Sequence, residues 1–127
     1  MLFRLIKRRR AIKRFVRQLP LDLQRRFGEK QHYSLEEIDR GTASEDYDRR
    51  FVAFAHALFC SRQDFDLYYG PLKVNCTYDG LRAFVAQRYF RGVTDFDACS
   101  IFRFAGQTTN KDSVHENGLS YWSGSGE

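Results

Sequence analysis

SEDYDRRFVAFAHALFC, residues 44–60, is the one segment of this chain that is apolar on nearly every side when wound as a helix. Tyr47, Phe51, Phe54, Ala55 and Leu58 recur at i, i+4, i+7, i+8 and i+11, and Val52, His56 and Phe59 form a second stripe at i, i+4 and i+7. From Phe51 onward such a helix buries most of its circumference, so the pattern predicts a central helix with the other elements packed around it. Ser44 is expected to cap it, with Glu45, Asp46 and Asp48 near the positive end of its dipole.

The flanking sequence supplies the helices to surround it. Ile12, Phe15, Val16 and Leu19 share a face of a helix over residues 2–19, ended by Pro20, which sits where a second short helix begins and runs to Gly28. Ser34-Leu35-Glu36-Glu37 is a capping box opening one or two turns that end near Gly41. Ser61 with Asp64 opens another turn of helix, broken by Gly70-Pro71. Residues 72–78 read as loop, because the alternation of Val74, Cys76 and Tyr78 has no partner strand. Asp79 is expected to cap a helix through Phe90 with Leu81, Phe84, Val85 and Tyr89 on one face and Gly92 in the left-handed position after it. Thr94 with Asp97 opens the last helix, whose inward stripe is Ala98, Ile101, Phe102 and Ala105, stopped by Gly106.

The whole is an all-α domain of five to seven helices. A chain of 127 residues with 43% hydrophobic and 16% aromatic content can fill one such core. Three parts are expected: a basic amphipathic helix over 1–19, a helical domain over 20–106 built on 44–60, and a flexible Ser/Gly-rich tail over 107–127. That tail has few aliphatic residues, with Tyr121 and Trp122 its only aromatic pair.

Charge is segregated along the chain. Residues 1–17 carry eight Lys or Arg and no acid, a net +8, whereas the remainder is −3, together giving the net +5 of the whole. The basic character therefore belongs to one helix on a mildly acidic body. Its first half, residues 1–10, is expected to project freely, with Phe3 and Ile6 among the arginines. Arg4, Lys7, Arg8, Arg9, Arg10 and Arg14 are the candidate contacts for an acidic protein or an anionic membrane surface. Nonspecific binding to nucleic-acid phosphates by Lys7 to Arg10 with Lys13, Arg14 and Arg17 is the rival, though the arm lacks base-reading groups. The bland alternative is that this helix packs on its own acidic body and leaves its charges solvated.

Catalytic and metal signatures are sparse. His56 and Cys60 lie four apart on one helix face, a spacing that metal sites use, and Cys60 with a histidine base could form a nucleophile, but core packing explains both more simply. Asp64-Phe65-Asp66 and Asp95-Phe96-Asp97 fail the spacing of a calcium-binding EF-hand loop: the glycine position holds Tyr69 or Ser100, and the closing glutamate position holds Asn75 or Gly106. No phosphate-binding loop, dinucleotide fingerprint, nucleophile elbow or HExxH motif is present. The three cysteines, Cys60, Cys76 and Cys99, are an odd number without a CxxC and read as reduced thiols. The expectation is a protein with no catalytic activity and no cofactor, cytoplasmic, with a peripheral seat at the inner membrane as a further possibility.

KRRRAIKRFVRQLP at residues 7–20, AHALFCS at 55–61 and LRAFVAQRYFRGVTDFDACSIF at 81–102 together resemble short uncharacterised proteins of Gram-negative bacteria grouped as a family of unknown function. The resemblance implies a small cytosolic bacterial protein and transfers no catalytic residues.

Overall fold

A computed structural model describes the backbone of residues 2–114 and the side chains of residues 3–107. Within them the chain forms α1 (Leu2–Arg17), α2 (Leu19–Phe27), α3 (Leu35–Gly41), a 3-10 turn (Arg49–Phe51), α4 (Val52–Phe59), α5 (Arg62–Tyr69), α6 (Tyr78–Tyr89) and α7 (Ala98–Val114), with no strand among the described residues. The all-α expectation holds.

α4 is the hub. It is only eight residues long, too short to persist as an isolated helix, yet Ala55 to Phe59 are all buried and α1, α3, α5 and α6 pack around it. A second layer of contacts joins α1, α2 and α7, and centres on Phe15, Val16, Leu19, Leu23 and Ile101, each fully buried. Gly41 lets α3 approach α2: a Cβ there would stand 2.8 Å from Leu23 Cδ2. The segment between α2 and α3 is fastened by main-chain hydrogen bonds, Tyr33 N–H to the Phe59 carbonyl at 2.7 Å and Ala98 N–H to that of Gln31 at 3.0 Å.

The capping signals at Ser34 and Ser61 form as expected, each hydroxyl accepting the main-chain N–H three residues on. Elsewhere the structure corrects the expectations. Residues 44–48 are turn, so Ser44 does not cap the central helix: its hydroxyl accepts the Asp46 N–H, and Asp48 accepts from Arg50 to open the 3-10 turn. These short side-chain bonds compete with helical main-chain bonds. Tyr47 turns inward instead, stacking on Phe15 with ring centroids 6.1 Å apart and donating its hydroxyl to Asp22 at 2.5 Å.

The other corrections are smaller. The break after α1 falls at Gln18, and Pro20 lies in the first turn of α2. Thr77, not Asp79, caps α6 by accepting the Gly80 N–H. The buried face of α6 is Tyr78, Arg82, Val85, Ala86 and Tyr89, leaving Phe84 exposed. Phe104, rather than the half-buried Phe102, completes the α7 stripe, and Gly106 does not stop that helix, which continues to Val114. The rest of the expected tail, with Tyr121 and Trp122, lies outside the described residues.

Candidate functional site

Helical spacing sorts the cations of α1 into rows with different surroundings. Lys7, Arg10 and Arg14, at i, i+3 and i+7, flank a cleft of about 590 Å³ whose opposite wall carries Glu45, Asp46 and Asp48 together with Arg49 and Arg50. Arg14 Nη1 is 3.9 Å from Asp46 Oδ1 and also donates to Gln18, so this flank does pack on the body. Arg8 folds down onto the Phe84 ring at 4.7 Å, and Phe84 in turn lies against Phe54. Of the six expected contacts, Arg8 and Arg14 are thus engaged within the domain, and Lys7 reaches back over the Phe3 ring at 5.1 Å.

The outward row is different. Ile6, Arg9, Lys13 and Arg17, at i, i+3, i+7 and i+11, run along one side of α1, with Phe3 and Arg10 beside them. Arg4, Arg9, Arg10 and Lys13 are exposed, and among the described residues none has a carboxylate within 4 Å. At the N-terminal end the helix overhangs the core, leaving Phe3 69%, Leu5 46% and Ile6 41% exposed. Lys13 and Arg17 were not among the six expected contacts, although their i, i+4 spacing with Arg9 was visible in the sequence.

His56 and Cys60 do not converge on a shared site. His56 is buried, with Nε2 2.8 Å from Asp39 Oδ1 and Nδ1 2.6 Å from the Tyr69 hydroxyl. A neutral ring donating Nε2–H to the carboxylate and accepting from the phenol satisfies both contacts. Burial lowers the His56 pKa against the opposing pull of Asp39. Arg49 completes the chain, donating to Asp39 at 3.3 Å and to the Thr42 hydroxyl at 2.6 Å. This network ties α3, the 3-10 turn, α4 and α5 together. Cys60 points elsewhere: its Sγ contacts the Ser61 carbonyl, and burial pushes the thiol up to about 12, far from a reactive thiolate. Among the described residues no group of three or more His, Cys, Asp or Glu could hold a metal ion.

Sequence reasoning also missed Arg82. Its guanidinium is buried, donates to the carbonyls of Ala57, Thr94 and Phe96, and lies over the rings of Tyr78 and Phe96. A charged residue four after Tyr78 and three before Val85, on a helix's apolar stripe, was the available signal. Nothing in the sequence said which carbonyls it would reach.

No helix among the described residues is long and apolar enough to cross a membrane. A family model described as a family of unknown function, DUF6559, matches residues 2–127. No curated protein and no solved structure matches the chain.

Proposed function

The chain belongs to that family, which carries no assigned activity, and we propose from the geometry of α1 that it is a non-catalytic interaction module docking on an anionic membrane surface. One observation carries the reading. The overhanging end of α1 exposes Phe3, Leu5 and Ile6 beside Arg4, Arg9 and Arg10, cations with no acidic partner among the described residues. Apolar side chains that insert at the headgroup boundary, ringed by arginines that meet lipid phosphates, make an interfacial helix. A phosphate-only contact leaves the apolar three unexplained. Each cation near an anionic leaflet contributes about 1 kcal/mol at moderate salt, so Arg4, Arg9, Arg10 and Lys13 supply a reversible attraction that the apolar tip reinforces. The anionic cytoplasmic leaflet is the surface this charge suits, which would make the protein a peripheral one at the inner membrane.

The test compares the full chain with Phe3→Ser/Ile6→Ser and Arg9→Gln/Arg10→Gln variants, all positions being exposed and remote from the core. Co-sedimentation uses phosphatidylcholine vesicles with and without phosphatidylglycerol, and fluorescence anisotropy uses a random DNA duplex, each across a salt series. Binding only to anionic vesicles, weakened by both variants, supports the proposal. Binding only to duplex with a steep salt slope, lost in the arginine variant and kept in the Phe3/Ile6 one, overturns it in favour of nucleic acid. Absence of binding to either surface also overturns it and leaves an acidic protein as the occupant.

A further inference from the structure

Where the outward row of α1 ends, the helix meets the last turn of α6 across a cleft of about 430 Å³ lined by Lys13, Arg17, Gln87, Arg88 and Tyr89. Three of these five side chains are cations and none is an acid. Lys13 and Arg17 come from successive turns of α1 and Arg88 from α6, so the positive charges converge from two elements. Among the described residues none of the three has a carboxylate within 4 Å. Arg17 is the most confined. Its guanidinium is held over the Tyr89 ring at 5.8 Å, Tyr89 itself is buried against Phe90 and Phe104, and the covered Arg17 Nε has no hydrogen-bond partner.

Like charges brought together without a counter-charge oppose folding, and the contact with the Tyr89 ring keeps the Arg17 guanidinium near its neighbours. Elsewhere in the fold Arg14 pairs with Asp46, Arg62 with Asp79 and Arg50 with Asp48, while Arg4, Arg9 and Arg10, unpaired among the described residues, stand exposed to solvent rather than lining this cleft. Here no described carboxylate stands within 4 Å of the three cations, and the donors present are those that suit a phosphate. A guanidinium offers a planar fork, an ammonium a point charge, and the Gln87 amide a neutral donor. The three cations match a dianionic phosphomonoester better than a singly charged diester.

We infer that the Lys13–Arg17–Arg88 cleft is a binding site for a phosphomonoester group, carried either on a lipid headgroup or on a small soluble molecule. Lys13 and Arg17 lie roughly 10 and 16 Å along α1 from Ile6, on the same outward row, so one headgroup can be held there while the apolar tip inserts. It goes beyond the membrane reading, because a soluble phosphomonoester would fill it with no membrane present.

The experiment has two arms, both on the full chain. In the first, inorganic phosphate is titrated at constant ionic strength and followed by amide chemical shifts of residues 13–17 and 87–89. In the second, co-sedimentation compares phosphatidylcholine vesicles doped with phosphatidic acid, a phosphomonoester, against charge-matched phosphatidylglycerol. The variant Lys13→Gln/Arg88→Gln changes two exposed helical positions to a good helix former, and Arg9→Gln/Arg10→Gln is the charge-matched control.

Saturable phosphate binding that falls at least about tenfold in Lys13→Gln/Arg88→Gln and is kept in Arg9→Gln/Arg10→Gln supports the site. A preference for phosphatidic acid, lost in the same variant, assigns the group to a headgroup. Phosphate binding without that preference assigns it to a soluble ligand. Equal losses of phosphate binding in both variants, or neither saturable phosphate binding nor a phosphatidic acid preference, overturn the proposal. Failure of all vesicles with phosphate binding intact would sink the membrane reading and leave this site standing.

Discussion

Replacing Arg82 by Met tests whether a buried cation, rather than apolar contact alone, fixes how α4, α6 and the 93–97 segment meet. Arg82 donates to the Ala57 and Thr94 carbonyls at 3.0 Å each and to that of Phe96, with the Phe96 ring 3.9 Å from its guanidinium carbon. Methionine fills much of the same volume, so the loss of packing is small. The cost is in the carbonyls. Those of Ala57 and Phe96 sit in buried contacts, and leaving each unsatisfied costs about 1–3 kcal/mol, while the Thr94 carbonyl is near enough to the surface to recover water. Loss of the contacts with Tyr78 and Phe96 adds about 1 kcal/mol, and removing a desolvated charge gives some of this back. The net expectation is destabilisation of about 3–5 kcal/mol, a fall in Tm of roughly 10–20 °C for a domain of this size. Arg82→Lys should cost nearly as much, because one ammonium cannot span three carbonyl acceptors contributed by α4 and the 93–97 segment. Urea unfolding followed by far-UV circular dichroism, with calorimetry for Tm, measures both. If Arg82→Met unfolds within about 1 kcal/mol of the native chain, the carbonyls are satisfied without the guanidinium and the reasoning fails.

Two further predictions concern stability. Burial holds the His56 pKa below the ordinary histidine value of 6.5, so the unfolded chain binds a proton that the folded chain resists. The His56 contribution is complete above pH 6.5 and is lost as pH falls from there to the folded value. Urea midpoints from about pH 7.5 to about pH 5 should decline in the native chain and stay flatter in His56→Gln; parallel curves would refute the assignment. The carboxylates with lowered pKa, Glu37, Asp48, Asp79 and Asp97, lose their contributions only at lower pH, below the ordinary values of 4.5 for glutamate and 3.8 for aspartate. Ser34→Ala should cost about 1 kcal/mol by opening the capping box of α3, with the urea slope unchanged, and a cost near zero would mean that Glu37 holds the turn alone.

Local capping signals hold at Ser34 and Ser61 and fail at Asp79, where Thr77 takes the cap two residues earlier. The capping box at Ser34 needs only Ser34 and Glu37, and the cap at Ser61 only the Asp64 amide, so both were legible from spacing. Gly92 takes the left-handed conformation expected of it after α6, at φ 83°. The core character of Ala55 to Cys60 followed from the absence of a polar side wide enough to face water. Residues 44–48 show where locality misleads: helix and side-chain turn were both available, and Tyr47 chose by reaching Phe15 and Asp22, 25 residues away from the latter.

The candidate site divides the same way. That α1 carries +8 and a few apolar residues at its start is a property of the sequence alone, as is the all-α class that its periods imply. Which cations are free is not, because Arg8 meets Phe84, Arg14 meets Asp46 and Arg17 meets Tyr89 only when α1 lies against the rest of the fold. The Asp39–His56–Tyr69 chain and the Arg82 cluster likewise join groups 12–25 residues apart. Periodicity reports which face of one helix is apolar, since that depends on neighbours three and four residues away. What each face meets is settled by packing among distant segments, and only the tertiary structure decides it.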